Sequence, residues 1–307
     1  MNFRLITSER QFRDCTGMGR EEFDQLSRDF VALFEEERGM SYARYSRENC
    51  EDAPKLKTLE DALFFVLFQA KNDLIFGSLG AVFTMTQSTA HKNLDRFSDL
   101  LARTLAKKKV MPVREFDSPE RFDEVFADED ELLIDGTEQP IQRAKDDARQ
   151  REAYSGKKKR HTDVNMVIST PDRYLRYVSY SYVGKENDMG VLLSEFDVRH
   201  DWFAGHTGVV DLGFTGLGNH YEFAELVIGK KRPYKKKGQP RRELSEADKS
   251  LNRAVSKRRI YVEHAIGGMK RYRYMLNKCR TRLYSLKNKL VGICAGLWNY
   301  HLTYGST

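Results

Sequence analysis

The sequence predicts an α/β protein in which a mixed sheet with flanking helices follows an all-helical region. Three observations predict it. Through the first 110 residues apolar side chains recur every three or four positions, the period of a helix. From about residue 131 the texture changes to short runs rich in Val, Ile and Tyr, at 131–136, 162–170, 174–183 and 208–213, separated by turn residues. Helical patterns then return at about 246–274 and 284–302. A chain of 307 residues has room for one catalytic-sized domain and a small accessory one. Its 40% hydrophobic and 32% charged residues describe a globular rather than a disordered protein.

Residues 1–55 are polar around one good helix. Phe23, Leu26, Phe30, Leu33 and Phe34 keep helical spacing, and Gly39 is placed to cap its end. This region receives no functional assignment. Residues 56–112 read as three helices: 59–70, apolar on most sides; a short one at 78–83; and 87–107, which carries Leu94, Phe97, Leu101 and Leu105. Thr84-Met85-Thr86 interrupts the last two. A short helix, a tight turn and a longer helix with a small polar first turn make a helix-turn-helix. That first turn, Gln87, Ser88 and Thr89, with His91 and Lys92, is expected to face the major groove of double-stranded DNA.

The second domain is expected over 125–305. Glu131-Leu132-Leu133-Ile134-Asp135-Gly136 is an apolar run ending in an acid, as a buried strand would. Two further strand patterns follow, then a helical stretch at about 188–203. Gly208-Val209-Val210-Asp211-Leu212-Gly213 is another apolar run ending in an acid and a glycine. Three strands, a crossover helix, a fourth strand and then helices is the opening of a ribonuclease-H-like core. In that topology the first and fourth strands are neighbours, so Asp135 and Asp211 converge. On the helix that follows, Val262, Ile266 and Met269 form an apolar stripe, with Arg259, Glu263 and Lys270 beside it at offsets of four and seven. Packed across the sheet, that helix can bring Glu263 to the two aspartates.

Charge is unevenly placed. The chain carries a net +7, yet Lys230 to Arg259 alone holds thirteen Lys/Arg against three Asp/Glu, which leaves the remainder slightly acidic. This basic segment, inserted at about 229–245 and including Lys235, Lys236 and Lys237, is a natural contact for DNA phosphates. The longest apolar runs, 62–68 and 291–298, are too short to span a bilayer, and no signal-peptide pattern opens the chain. Four scattered cysteines, Cys15, Cys50, Cys279 and Cys294, lack the spacing of a zinc site and fit a reducing cytoplasm, with nucleoid association in a bacterium.

Three carboxylates at these positions suit phosphodiester chemistry. Cleavage needs an activated water or hydroxyl, and neutralised charge on the leaving and non-bridging oxygens. Mg²⁺ or Mn²⁺, two ions to a site, supply both and prefer oxygen ligands. Asp135, Asp211 and Glu263 are the expected metal ligands, while Arg259 and Lys270 have no acceptor and contact phosphate instead.

Four blocks carry a family resemblance: Asp135-Gly136-Thr137-Glu138-Gln139-Pro140-Ile141; Tyr154-Ser155-Gly156-Lys157-Lys158-Lys159-Arg160-His161-Thr162; Asp211-Leu212-Gly213-Phe214-Thr215-Gly216-Leu217; and Arg258 to Gly267. Together, across roughly 57–303, the chain resembles DDE insertion-sequence transposases of the branch related to Harbinger transposases. The resemblance implies that Asp135, Asp211 and Glu263 are the catalytic triad and that Lys157, Lys158, Lys159 and Arg160 lie near DNA. It also implies binding to the terminal inverted repeats of an element, phosphodiester hydrolysis at its ends, strand transfer into target DNA and action as a homo-oligomer. Ser256 departs from the family pattern, which has a tyrosine there. Asn187-Asp188 keeps only the acid of a common His-Asp pair.

Two other readings compete. A domesticated or inactive derivative would bind DNA through the helix-turn-helix and the basic segment without chemistry. A metal phosphohydrolase would use His200-Asp201 with His206 and His220, which lack a recognisable ligand spacing.

Overall fold

The N-terminal third is helical because its polar caps and apolar stripes agree. The computed structural model describes residues 1–50, 52–233 and 243–305. In chain order its first helices are α1 (Glu9–Thr16), α2 (Arg20–Arg38), α3 (Tyr42–Asn49), α4 (Leu59–Asn72), α5 (Phe76–Val82) and α6 (Gln87–Lys107). After α7 (Pro119–Phe126) come β1 (Glu131–Pro140), α8 (Asp147–Ala153), β2 (Tyr154–Ser155), β3 (Arg160–Ser169), β4 (Leu175–Val178) and β5 (Tyr182–Val183). Then follow α9 (Asp188–Glu195), β6 (Thr207–Val210), β7 (Glu225–Ile228), α10 (Glu246–Lys270) and α11 (Tyr284–Tyr304). The chain divides into two compact units: one of residues 1–111, 139–142 and 268 onward, the other of 112–138 and 143–267.

In the helical unit, Ser8, Ser41, Thr58 and Thr86 cap α1, α3, α4 and α6 by accepting a backbone N–H three residues on. Thr58 and Asp61 complete a reciprocal capping box. Gly39 ends α2 in the left-handed conformation, φ 64°, as its position predicts. Helix α4 is buried on nearly every side and packs against α1, α2 and α6, while α11 packs on α6. Residues 268–305, which the sequence places with the second domain, pack here. The short helix α5, the turn at 83–86 and the long helix α6 follow the expected arrangement, with Gly80 lying directly against the Met85 carbonyl.

The other unit is a mixed sheet in the order β2-β3-β1-β6-β7, with β4 and β5 antiparallel to β3. Strand β1 runs parallel to β6, and β6 parallel to β7. One face buries Leu132, Ile134, Met166 and Val210 against Phe122, Phe196 and Phe203. This is the α/β class that the element order predicts.

Three local expectations are corrected. The first strand does not end at Asp135 but continues to Pro140. The run 174–183 breaks at 179–181, where Ser179 Oγ accepts from Met166 N at 2.8 Å and Asn165 Nδ2 donates to Ser179 O at 2.9 Å. Side chains there take over the bonds of a continuous ladder. The helix expected at 188–203 stops at Glu195, and Phe196, Trp202 and Phe203 reach the core from a loop held by the Trp202 indole N–H on Asp197 O. Their spacing imitates a helical stripe.

Candidate functional site

The parallel register sets the first pair of acids side by side. Leu132 pairs with Gly208 and Leu133 with Val209. Two residues further along each strand stand Asp135 and Asp211, so the register carries them opposite one another. The apolar residues before them, Leu132, Leu133, Ile134, Val209 and Val210, are fully buried. The acids therefore stand at the margin of the core. Asp211 lies just past β6 and accepts from Gly213 N at 2.6 Å, starting a short 3₁₀ turn at Leu212–Phe214. Asp135 accepts from its neighbour Gly136 N at 2.8 Å and is 9% exposed.

Burial pushes the Asp135 carboxyl above its ordinary pKa. Arg259 and the Gly136 N–H oppose this, while Asp211 and Asp188 add to it. Asp188, which sequence reasoning left outside the site, thus belongs to the same cluster. It opens α9, and a Cβ built on Gly136 would stand only 2.0 Å from its Oδ1. The sequence carries a signal for this: an apolar strand that bears an acid has a glycine next to it, where an interior strand position disfavours one.

Helix α10 is fixed to β1 by two consecutive arginines. Arg258 Nε donates to Glu131 Oε2 at 3.0 Å, and Arg259 Nη2 donates to Asp135 Oδ2 at 2.8 Å. Val255, Val262 and Ala265 are the buried side of the helix. Glu263 lies one turn beyond Arg259, 3.8 Å from its Nη1, with a side chain 60% exposed. One guanidinium therefore separates Glu263 from Asp135. Lys270 is the last residue of α10 and falls in the helical unit.

Among the described residues no three His, Cys, Asp or Glu side chains are closed into a metal cage. The donor chemistry still suits a hard divalent cation. Asp135 and Asp211 are oxygen donors opposite one another on adjacent strands, the field of Asp188 also falls on Asp135, and Glu263 stands on the other side of Arg259. Arg259 Nε is buried without a hydrogen-bond partner, the kind of donor that an anionic oxygen satisfies. Two of the histidines of the phosphohydrolase reading make other contacts. His206 Nδ1 is 2.8 Å from Glu129 O and packs on Phe122, while His200 packs on Trp202.

The expected DNA-facing residues are distributed over both units. In the helical unit Gln87, Ser88 and Lys92 are exposed, whereas Thr89 is half-buried with its hydroxyl 2.8 Å from that of Thr86. His91 is half-buried against the Phe76 ring. In the other unit Lys157, Lys158, Lys159 and Arg160 are exposed at the turn between β2 and β3. Lys235, Lys236 and Lys237 lie outside the described residues. The flanking Lys230, Lys231 and Arg232 join Lys249 and Arg253 around a cavity of about 600 Å³ that also touches Leu212, the residue after Asp211.

Comparisons with known proteins found a family and a relative. Residues 134–299 match the family described as the DDE superfamily endonuclease. The chain is 24% identical over 304 residues to a protein of Microchaete diplosiphon named "Probable transposase for insertion sequence element IS702", with 95% of each chain covered. No solved structure matches it.

Proposed function

The chain belongs to the DDE superfamily of endonucleases, and from that premise we propose that it is a DNA transposase whose acidic centre is Asp135, Asp211 and Glu263. Divalent-metal dependence is general to such endonucleases, and two ions, Mg²⁺ or Mn²⁺, would serve here. The similarity to an insertion-sequence transposase along almost the whole chain supports the step from endonuclease to transposase. The observation that carries the site is the shared level of Asp135 and Asp211 on adjacent parallel strands, with Arg259 linking Asp135 to Glu263.

Asp135, Asp211 and Glu263 would hold the ions, which when bound supply an activated water or hydroxyl and neutralise charge on the phosphate. The chain's own part is positioning. Arg259 opposes the rise that burial imposes on the Asp135 carboxyl, and the exposed edge of its guanidinium would meet a phosphate oxygen. The exposed start of α6 reads the terminal inverted repeat, with Gln87 and Ser88 at base edges and Lys92 on the backbone. Lys158, Lys159, Arg160 and the basic segment add phosphate contacts. The protein would act as a homo-oligomer on paired ends and join the freed 3′-hydroxyl to target DNA. Among the described residues no helix is long and apolar enough to cross a membrane.

Purified protein with labelled end DNA and Mg²⁺ or Mn²⁺ tests this. Wild type should nick at the element end, and Asp135→Asn, Asp211→Asn and Glu263→Gln should each reduce nicking by at least about a hundredfold. Equal nicking by wild type and Glu263→Gln would remove Glu263 from the site.

A further inference from the structure

A lysine reaches into the acidic centre from a separate element. Lys157 Nζ, on the turn that joins β2 to β3, lies 3.1 Å from Asp188 Oδ2. The two partners differ in setting: the Lys157 side chain is 58% exposed and that of Asp188 is 12% exposed. Burial disfavours charge on the ammonium. The fields of Asp188 first, then Asp211 and Asp135, outweigh it and raise the lysine's pKa. One cation from the hairpin therefore feels three carboxylates at once.

Two glycines make this possible. A Cβ on Gly136 would fall 2.0 Å from Asp188 Oδ1, and one on Gly213 would fall 2.7 Å from Asp211 Oδ1 and 3.8 Å from Asp188 Oδ2. Each glycine closely follows one of the paired aspartates in sequence. The approach of Asp188 is thus built into the strand that presents Asp135 and the turn that follows Asp211. The Lys157 end of the pair is open to solvent, so the pair contributes little to stability, which is a weak reason to build such a close approach.

Resting on the transposase reading above, we propose that Asp188 is a positioning residue that fixes the Lys157 ammonium beside Asp135 and Asp211, where Lys157 meets the scissile phosphate. Four carboxylates repel a phosphodiester, and Arg259 answers only part of that charge. A lysine fixed in place by a buried acid adds a cation without spending entropy when the substrate arrives. Asp188 has no contact with the phosphate in this arrangement and acts through Lys157.

The test is a double-mutant cycle on the full-length protein with end DNA. Lys157→Gln and Asp188→Asn should each lower the nicking rate constant by roughly 10–100-fold, with end-DNA affinity changed by less than about threefold, because Lys157 is one phosphate contact among many. The double variant should be no slower than Lys157→Gln alone, and Lys157→Arg should recover much of the rate. Mn²⁺ affinity measured by electron paramagnetic resonance should be unchanged in Asp188→Asn and weakened in Asp135→Asn. Multiplicative losses in the double variant, or weakened Mn²⁺ binding in Asp188→Asn, would overturn the proposal by making Asp188 an independent ligand. So would nicking within twofold of wild type in Asp188→Asn while Asp135→Asn is inactive. Nicking that survives in Asp135→Asn, or is missing from wild type, would instead sink the functional reading and this inference with it.

Discussion

Arg259 donates to Asp135 at 2.8 Å while the same guanidinium lies 3.8 Å from Glu263, so a single side chain spans the distance between a strand acid and a helix acid. The Arg259 side chain is 18% exposed and the Asp135 side chain 12%, which places their pair away from bulk screening. Removing the cation leaves a buried carboxylate without its main opposing charge. Arg259→Ala is therefore expected to raise the Asp135 pKa further. A higher pKa means more protonated Asp135 at a given pH, so the acid limb of the pH–rate profile should move to higher pH. At neutral pH nicking should fall about 10–100-fold, and Arg259→Lys should recover only part, because a lysine cannot reproduce the planar fork. An acid limb unchanged in Arg259→Ala would show that Arg259 does not govern Asp135.

Gly136→Ala is the smallest change that should disable the centre without unfolding it. The added methyl would overlap Asp188 Oδ1 at 2.0 Å, and Asp188 is a short side chain at the first position of α9, with few rotamers to escape through. Displacing it also displaces Lys157. The expected result is a fall in nicking of at least about tenfold with a melting temperature within a few degrees of wild type. Activity equal to wild type would show that Asp188 can move freely.

Much of this centre could be read from residues alone, for a physical reason. Apolar runs closed by an acid, at Ile134-Asp135 and Val210-Asp211, mark where each strand leaves the apolar core, although β1 itself runs on to Pro140, and the parallel pairing of β1 with β6 sets the two acids opposite one another. Helical spacing placed Glu263 one turn beyond Arg259, while its place as third acid comes from the family resemblance. Asp188 stood only as the remaining acid of a family pair and was left out of the expected triad, because its proximity depends on missing Cβ atoms at Gly136 and Gly213, which a linear pattern does not express. The helix predicted beyond Glu195 failed for a related reason: Phe196 and Phe203 have helical spacing, but the loop between them serves the same burial. Strand β7 was missed because Glu225–Ile228 is a short stretch whose pairing with β6 comes from tertiary context.

Asp73 offers a pH test in the helical unit. Burial pushes its carboxyl up to about 6, against the weaker opposing influences of Asn277 and Arg280. A carboxyl raised on folding contributes stability that is full below its unfolded pKa of about 3.9 and is lost as pH rises through about 6. Wild type should therefore lose stability between about pH 4 and pH 6 from this residue. Asp73→Asn, which also tolerates the left-handed backbone there (φ 50°), should flatten that part of the profile and raise the melting temperature at pH 7 by about 1–3 °C. Parallel profiles for wild type and Asp73→Asn in thermal melts from pH 4 to 7 would contradict this.

Gly80 and Gly77 form a controlled pair for the proposed helix-turn-helix, because both lie on α5 and only one is crowded. A Cβ on Gly80 would stand 2.5 Å from the Met85 carbonyl oxygen and 3.3 Å from the Thr86 backbone. Backbone atoms cannot rotate aside, so the turn must open, and the bond from Met85 N to Gly80 O at 2.9 Å opens with it. That turn sets the angle at which the first residues of α6 are presented. Gly80→Ala should destabilise the protein by about 1–3 kcal/mol and weaken end-DNA affinity by roughly tenfold or more. Gly77 has nothing within 4 Å of an added Cβ, so Gly77→Ala should be neutral or stabilising by about 0.5 kcal/mol through helix propensity, with DNA affinity unchanged. Denaturant melts and fluorescence anisotropy on both variants read the two quantities separately. Equal behaviour of the two variants would mean that the close approach at Gly80 does not hold the turn.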